Sequence, residues 1–272
     1  MTRPAFPPSA LAVLALLLTL VLSACGGSAP GKAKGPAGAP GSTGTVGGSA
    51  SAEPPAPPEP RFGVPKAGQC HQMGYAQSKS PVFLGAKVPC RKAHTSLVIH
   101  AGVVDAAVTA QTPVARRRAV ARKVCEPAFR RLVGGTPALR ATSLLTWVFF
   151  TPSAAELARG ARWVRCDAIA RSARELVALP ATTPLLRKGL PEQLRVCQDN
   201  KGVDVSCARP HQFRVEAVFL PSGNAYPGQA FTSVARDRCR TLMNGALGYW
   251  QPPSRAGWAA GDHYVRCLAR TS

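Results

Sequence analysis

Alternation of hydrophobic and polar positions predicts a half-buried strand at residues 213–219, where Arg214 and Glu216 interrupt an apolar series. A period of two is typical of a strand that buries one face. Shorter apolar or β-branched runs between turn residues predict further strands. These runs occupy residues 82–88, 96–99, 144–150 and 162–168 in the first half and 194–196 and 203–205 in the second.

Two longer segments, residues 113–132 and 228–247, predict helices. Each follows strands of its own half and carries a central cysteine, Cys125 or Cys239. Strands that do not alternate regularly with helices along the chain favour an α+β fold. We therefore expect each half to be a small antiparallel sheet packed with one main helix.

The two halves repeat one another in sequence. Residues 152–166 align without gaps on residues 253–267, and eight of the fifteen positions are identical. A framework repeated at about a hundred residues predicts two copies of one module rather than a solenoid of short repeats. We place two tandem, disulfide-stapled modules at residues 61–178 and 183–272.

The N-terminus has the pattern of a lipoprotein signal peptide at residues 1–25. Its apolar run at residues 11–22 is short for a membrane span and fits an export signal. Ser23 and Ala24 directly before Cys25 resemble the bacterial lipobox, in which the cysteine is lipidated. Ordinary signal cleavage with a free Cys25 thiol is the alternative.

Residues 26–60 are almost wholly Gly, Ala, Pro, Ser and Thr. Such a segment has too little apolar surface to bury and predicts a disordered tether. Together with a lipidated Cys25, it would hold the folded part at the outer face of the bacterial cell membrane.

Eight cysteines remain after Cys25, and they divide equally between the halves. Exported chains meet an oxidising compartment, so even sets of cysteines predict disulfides. Four cysteines allow three pairings in each half, and the sequence alone does not choose among them. We favour the pairing that ties each helix to the last strand of its module. It joins Cys70 to Cys90, Cys125 to Cys166, Cys197 to Cys207, and Cys239 to Cys267.

A Cys-x3-His pair occurs in each half, as Cys90 with His94 and Cys207 with His211. Zinc uses such residues but needs about four ligands together, and the other cysteines are distant in sequence. We therefore predict disulfides, with no metal and no cofactor. Each histidine would close its loop by hydrogen bonding, and a surface binding role for His94 and His211 is the alternative.

The chain is strongly basic, with 34 Lys and Arg against 13 Asp and Glu and a net charge of +21. Arg116, Arg117 and Arg118 begin a run of cations on the first predicted helix and are candidate binding residues. A basic surface attracts polyanions, which at a bacterial surface are anionic lipid or cell-wall polymer rather than nucleic acid. A solvated basic face without a partner is the alternative.

Catalytic motifs are missing from the sequence. It has no Gly-x-Ser-x-Gly, no Ser-x-x-Lys and no His-Glu-x-x-His. Its acidic residues are scattered, so two carboxylates for glycoside cleavage would have to come from distant segments. We predict no catalytic residues and no enzymatic activity.

The order of features in each half resembles the septum-formation domain family of actinobacterial exported proteins. These features are a cysteine, a strand, Cys-x3-His, an alternating strand, a helix with a central cysteine, and Gly-x-x-(Trp/Tyr)-Val-x-Cys. Residues 207–211, Cys-Ala-Arg-Pro-His, fit the family's Cys-x-x-Pro-His, whereas residues 90–94 lack the proline. The resemblance implies a role in cell division or the envelope and supplies no catalytic residues.

These features together predict a lipid-anchored binding protein of the cell envelope, linked to septum formation or cell division. Its partners would be the membrane through the anchor, and anionic lipid, cell-wall polymer or proteins of the division machinery. One alternative is an envelope enzyme that acts on cell-wall polymer, which close carboxylates in a groove would favour. Another is an accessory or sensor subunit of a membrane complex, which an exposed apolar patch between the modules would favour.

Overall fold

The computed structural model describes residues 58–104, 108–223, 225–228, 231–246, 248–259 and 261–271. Within these residues the fold is α+β, as predicted, with two antiparallel sheets, five α-helices and four disulfide bonds. The predicted signal peptide, Cys25 and residues 26–57 of the predicted tether lie outside them. In the described part of the chain, no helix has both the length and the apolar character that crossing a membrane requires.

The first sheet has six strands among the described residues of the first half. They are β1 (Cys70–Gln72), β2 (Ala86–Val88), β3 (Ser96–Val103), β4 (Leu145–Phe150), β5 (Trp163–Ser172) and β6 (Glu175–Val177). Their order is β2-β1-β3-β5-β4, and β6 pairs with β5. The strand predicted at residues 82–88 is shorter because Phe83 leaves the ladder and packs edge-on against Phe150, at 5.1 Å between ring centroids.

The second sheet has five strands among the described residues of the second half. They are β7 (Val196–Gln198), β8 (Asp204–Ser206), β9 (Phe213–Phe219), β10 (Tyr249–Gln251) and β11 (Val265–Arg270). Their order is β8-β7-β9-β11-β10, which repeats the order of β1 to β5 in the first sheet. The alternating segment forms β9 with the predicted bounds, and Val215 lies in the core while Glu216 is exposed.

Four of the five described helices occupy equivalent places in the two halves. They are α1 (Val114–Val133), α2 (Pro137–Ala141), α3 (Ala154–Ala158), α4 (Thr232–Leu242) and α5 (Arg255–Ala259). α1 lies between β3 and β4, and α4 lies between β9 and β10. α4 is shorter than the predicted helix because the backbone is left-handed at Gly228, with φ of 59°, and at Asn244, with φ of 49°. A right-handed helix cannot continue through such residues.

α1 packs on its sheet through a stripe of small and apolar side chains. Ala121, Cys125, Ala128, Phe129 and Val133 are buried, and their spacing of three or four residues places them on one face. The helix ends at Gly134, whose φ is 71°. A Cβ atom at Gly134 would lie 2.9 Å from Pro184 Cβ, so the position requires glycine on two grounds.

The four disulfides of the described chain join the pairs that we favoured from sequence. Cys125–Cys166 ties α1 to β5, and Cys239–Cys267 ties α4 to β11, each with 5.3 Å between Cα atoms. Cys70–Cys90 and Cys197–Cys207 link the first strand of each sheet to the chain just after the second, at 5.1 and 5.0 Å. The two halves therefore share their crosslinks as well as their strand order.

Each sheet also has a register shift beside the cysteine that is bonded to the helix. In the first sheet, Ile99 of β3 has no residue opposite it, because its neighbours pair with Cys166 and Asp167. In the second sheet, Glu216 of β9 has no residue opposite it, because its neighbours pair with Cys267 and Leu268. A bulge of this kind adds one residue to a strand and increases its twist. The irregularity thus recurs at the equivalent point of both sheets.

One hydrophobic cluster contains buried residues of both halves. Leu97 and Phe129 of the first half lie in the same cluster as Leu194, Val215 and Leu268 of the second. Backbone bonds from Leu144 N to Leu194 O, at 2.7 Å, and from Val196 N to Thr142 O, at 3.0 Å, reinforce this contact. The described residues accordingly belong to one compact unit, and the sequence boundary near residue 180 does not separate two cores.

Candidate functional site

The two motif histidines close their loops by hydrogen bonding, as expected. Nδ1 of His94 lies 2.9 Å from the carbonyl oxygen of Lys92, and Nδ1 of His211 lies 2.7 Å from that of Arg209. His94 is only 1% exposed, so the alternative of a surface binding role is wrong for this residue. His211 is half-buried and can still be reached from solvent.

His211 lies near two sulfur atoms, which makes a metal site worth testing. One ligand atom each of His211, Cys197 and Cys207 lies within 4.8 Å of the others. Cys197 and Cys207 are joined in a disulfide, however, and metal binding needs thiolates. The oxidised protein therefore offers a single imidazole at this place.

α1 carries the densest positive charge of the described helices, with seven Lys and Arg against one glutamate. Five of its cations are exposed, namely Arg116, Arg118, Lys123, Arg130 and Arg131. Four of them lie on one side of the helix, and we call these four the basic face: Arg116, Lys123, Arg130 and Arg131. The Glu126 carboxylate lies 3.4 Å from the Arg130 guanidinium and offsets its charge at one end of the basic face. Val114, in the first turn of α1, is 61% exposed.

Arg117 differs from its two neighbours because it is half-buried. It lines a cavity of about 480 Å³. We call this cavity the helix cleft. It lies between the first turn of α1, the segment 78–81 and strand β4. Its charged lining residues are Lys79, Arg117, Arg118, Arg171 and Asp262, and Trp147 forms part of its wall.

A second cavity, of about 530 Å³, adjoins the helix cleft, with which it shares Thr146, Arg171 and Asp262. We call it the sheet cleft, since residues of both sheets line it. Arg266 donates to Asp204 at 2.6 Å and lies 3.8 Å from an oxygen of Asp262. The two carboxylates of the sheet cleft thus face one guanidinium.

The first sheet buries a polar cluster at the place where the second sheet has the sheet cleft. Arg165 donates from Nε and Nη2 to both oxygens of Asp167, at 2.7 and 2.8 Å, and the Ser96 hydroxyl donates to the same carboxylate. The ring of Phe83 covers the guanidinium, with 3.4 Å between Cζ and the ring centroid. Arg165 and Arg266 both stand one residue before the helix-linked cysteine, so the repeat places one arginine under cover and the other beside a cavity.

His71 lies next to this cluster and is 5% exposed. Both of its ring nitrogens are buried and lack a hydrogen-bond partner among the described residues. Burial, and secondarily the positive charge of Arg165, lowers the pKa of His71 to about 4. The imidazole is therefore neutral near pH 7 and contacts Phe83 edge-on, at 4.7 Å between ring centroids.

Comparison with known proteins gives one family. The family described as septum formation matches residues 67–267, a stretch that includes strands of both sheets. The chain belongs to the septum-formation family. Its family match is continuous across the two halves, so a separate family copy in each half stays a prediction. No curated protein and no solved structure matches this septum-formation protein. Its family links it to cell division and the envelope.

Proposed function

We propose that this septum-formation protein is a lipid-anchored binding protein of the cell envelope, and that the basic face of α1 contacts an anionic partner. The partner would be anionic lipid headgroups or anionic cell-wall polymer. The exposure of five cations on one helix, with Glu126 as its single acid, is the observation that carries the proposal. Each cation close to an anionic membrane contributes about 1 kcal/mol, and salt screens the contribution.

The predicted anchor and tether fit this role. A lipidated Cys25 would hold the chain at the outer face of the membrane. The thirty-two residues from 26 to 57, treated as a flexible coil, have an r.m.s. reach of roughly 30 Å. That reach would allow the basic face to meet either the headgroups or polymer close to the membrane.

We also infer that the folded part arose as two copies of one module. The equal strand order, the matching disulfides and the recurring bulge support this inference. Basic residues are denser on α1 than on α4, where Asp237 lies among the arginines. The two copies would therefore have diverged in charge, with the anionic partner bound by the first.

An envelope enzyme is the second candidate, and one observation favours it. Asp204 and Asp262 line the same cleft, as two carboxylates that cleave a glycosidic bond would. Both contact Arg266, however, and a carboxylate bound to a cation is less available to a substrate. For this reason we rank binding above catalysis.

Vesicle binding tests the proposal. The full chain with Cys25→Ser should be released from cell membranes by a high-salt wash, because the acyl attachment point is gone. Its remaining binding to vesicles with phosphatidylglycerol, or to isolated cell wall, should weaken when Arg116→Gln and Lys123→Gln are added. We expect a loss of roughly tenfold or more at low salt, since two contacts are removed, and a smaller loss at high salt.

A matched control removes the same charge from the other main helix. Arg238→Gln with Arg240→Gln changes two exposed arginines of α4 and should leave binding within about twofold of the starting chain. Equal losses in both double variants would show that only total charge matters and would contradict a binding role for α1. A Cys25→Ser chain that stays wholly with the membrane after the wash would contradict the anchor.

A further inference from the structure

We propose that the helix cleft is a binding site for a phosphate ester, in which Arg117 and Arg171 hold the phosphate. The site is distinct from the basic face, because Arg117 points into a cavity while Arg116 is exposed to solvent. The proposal deepens the proposed function, since it names the chemical group that an envelope partner would present. It rests on the buried Nε atoms of Arg117 and Arg171 rather than on the exposed cations of the basic face.

The first step is the state of the two guanidinium groups. The Nε atoms of Arg117 and Arg171 are buried and have no hydrogen-bond partner among the described residues. Arg171 lies over the ring of Tyr75, at 5.6 Å, a contact that leaves its N–H groups unpaired. Buried donors are almost always satisfied in folded proteins, so two unpaired ones at one cavity indicate an absent acceptor.

Several other half-buried or buried arginines of the described chain have carboxylate partners. Arg165 binds Asp167, Arg266 binds Asp204, and Arg214 binds Glu192 at 2.7 Å. Among the described half-buried arginines, Arg117, Arg122, Arg140 and Arg171 have no carboxylate partner, and Arg140 donates to the carbonyl oxygens of Gly134 and Gly135 instead. Arg117 and Arg171 differ from Arg122 because they line the same cavity, the helix cleft, which favours a shared ligand there.

The charge of the cleft selects an anion. Lys79 and Arg118 add two cations to the lining, against the single carboxylate of Asp262. Asp262 is already turned towards Arg266, at 3.8 Å. The net positive charge of a partly enclosed cavity attracts and concentrates anions.

The number of donors favours phosphate over carboxylate. One guanidinium is enough to bind a carboxylate through two parallel hydrogen bonds. Two guanidinium groups from different elements, α1 and β5, with Lys79 beside them, suit a tetrahedral anion whose oxygens point in several directions. Trp147 and Thr146 would then contact the organic part of the ester.

The wall of the cleft is held in place without a ligand. The amide and hydroxyl of Thr151 both donate to the carbonyl oxygen of Pro81, at 2.9 and 3.1 Å, and so fasten segment 78–81 to the end of β4. Ser78 donates its hydroxyl to the carbonyl oxygen of Tyr75 at 2.7 Å. A preformed site loses less entropy on binding than a flexible one.

Calorimetry with the full Cys25→Ser chain tests the site. The probes are glycerol 3-phosphate, inorganic phosphate and glycerol. We expect glycerol 3-phosphate to bind, inorganic phosphate to bind more weakly, and glycerol not to bind. Arg117→Gln and Arg171→Gln should each raise the Kd for glycerol 3-phosphate by roughly tenfold, as loss of a charge-assisted hydrogen bond predicts. Arg116→Gln, the adjacent exposed arginine, should leave it within about twofold.

Thermal unfolding separates a binding role from a folding role. Without ligand, Arg117→Gln should unfold at or above the temperature of the parent chain, because an unpaired cation is removed. Glycerol 3-phosphate should raise the midpoint of the parent chain and not that of Arg117→Gln. A variant that is destabilised without ligand would overturn the proposal, since it would show that Arg117 already has a structural partner.

Vesicles distinguish the source of the phosphate. If the ester is a lipid headgroup, Arg117→Gln should weaken binding to phosphatidylglycerol vesicles more than Arg116→Gln does. If it is a soluble or polymer-borne ester, glycerol 3-phosphate binding alone should depend on Arg117. Glycerol binding as tightly as its phosphate, or equal effects of Arg116→Gln and Arg117→Gln on the Kd for glycerol 3-phosphate, would overturn the site. The test of the basic face by Arg116→Gln with Lys123→Gln would remain valid in that case.

Discussion

At the scale of single residues, burial decides what each histidine does. His94 and His211 make the same contact with a carbonyl oxygen two residues earlier, yet His94 is enclosed and His211 is half-buried. His71 was not a candidate from sequence, and it is the histidine whose pKa the fold lowers. Its equivalent in the second sheet is Gln198, which donates to Asp204 and Gln251 at 2.8 and 2.9 Å.

Acid should destabilise the protein partly through His71. Its pKa is about 4 in the fold and 6.5 in an unfolded chain, so between these values the unfolded state binds a proton that the folded state does not. The free energy of unfolding should therefore fall as pH drops from about 6.5 towards 4, by on the order of 1–3 kcal/mol from this group. Above about pH 6.5 the contribution should be constant.

Urea unfolding of the wild type and His71→Gln at about pH 7.5 and about pH 4.5 measures this effect. Glutamine already stands at the equivalent place of the second sheet, which makes it a suitable replacement. The stability that is lost between the two pH values should be smaller in His71→Gln than in the wild type. Equal losses would show that His71 does not couple folding to protons.

The sequence predicted the cations of α1 but not the residues that line a cleft with them. The run at residues 116–118 was visible, because the helix is local and its charges are adjacent. Arg171 and Lys79 could not be assigned to the same cleft as Arg117, because they are distant from it in sequence. Only the folded sheet brings β5 and the turn before β2 close to the start of α1. The Arg165 and Arg266 positions did carry a signal, because both precede an aligned cysteine in the repeat.

At the scale of elements, the helices and their disulfides were more predictable than the short strands. Cysteines at matched places predicted which element each bond would join, and the long α1 followed its apolar stripe. The ends of α4 depended on backbone conformation at Gly228 and Asn244, and residues 82–85 on a contact of Phe83 across the sheet. Local periodicity contains neither kind of information.

Removal of single disulfides should show the value of the helix crosslinks. Cys125→Ala with Cys166→Ala opens a bond that spans 41 residues, whereas Cys197→Ala with Cys207→Ala opens one that spans 10. Each loss should cost roughly 2–5 kcal/mol, and the longer loop about 1 kcal/mol more, because it restricts the unfolded chain further. Denaturant unfolding of the two double variants measures the difference, and the reverse order would contradict it.

At the scale of the whole molecule, the repeat and the core give different pictures of the fold. Strand order and disulfides divide the chain into two similar halves, whereas Leu194, Val215 and Leu97 share one hydrophobic cluster. Sequence could reveal the first pattern because it repeats. It could not reveal the second, because apolar residues that face a partner half look the same as residues that face their own sheet.

The shared core predicts that both halves unfold in one transition. Leu194 is fully buried in that core, so Leu194→Ala should cost about 2–5 kcal/mol. Two reporter chains follow each half by fluorescence: one keeps Trp147 and Trp163, and the other keeps Trp250 and Trp258. Leu194→Ala should lower the unfolding midpoint equally in both, because a cooperative unit loses stability as a whole.

Leu242→Ala is the matched control for this test, since Leu242 is 41% exposed and its loss should leave the midpoint nearly unchanged. A Leu194→Ala chain in which only the second-half reporter shifts would show two independent modules that merely touch. A common shift would instead mean that duplication produced one folding unit. Any ligand that binds the helix cleft would then stabilise the second sheet as well as the first, although Arg117 and Arg171 of the cleft both belong to the first half.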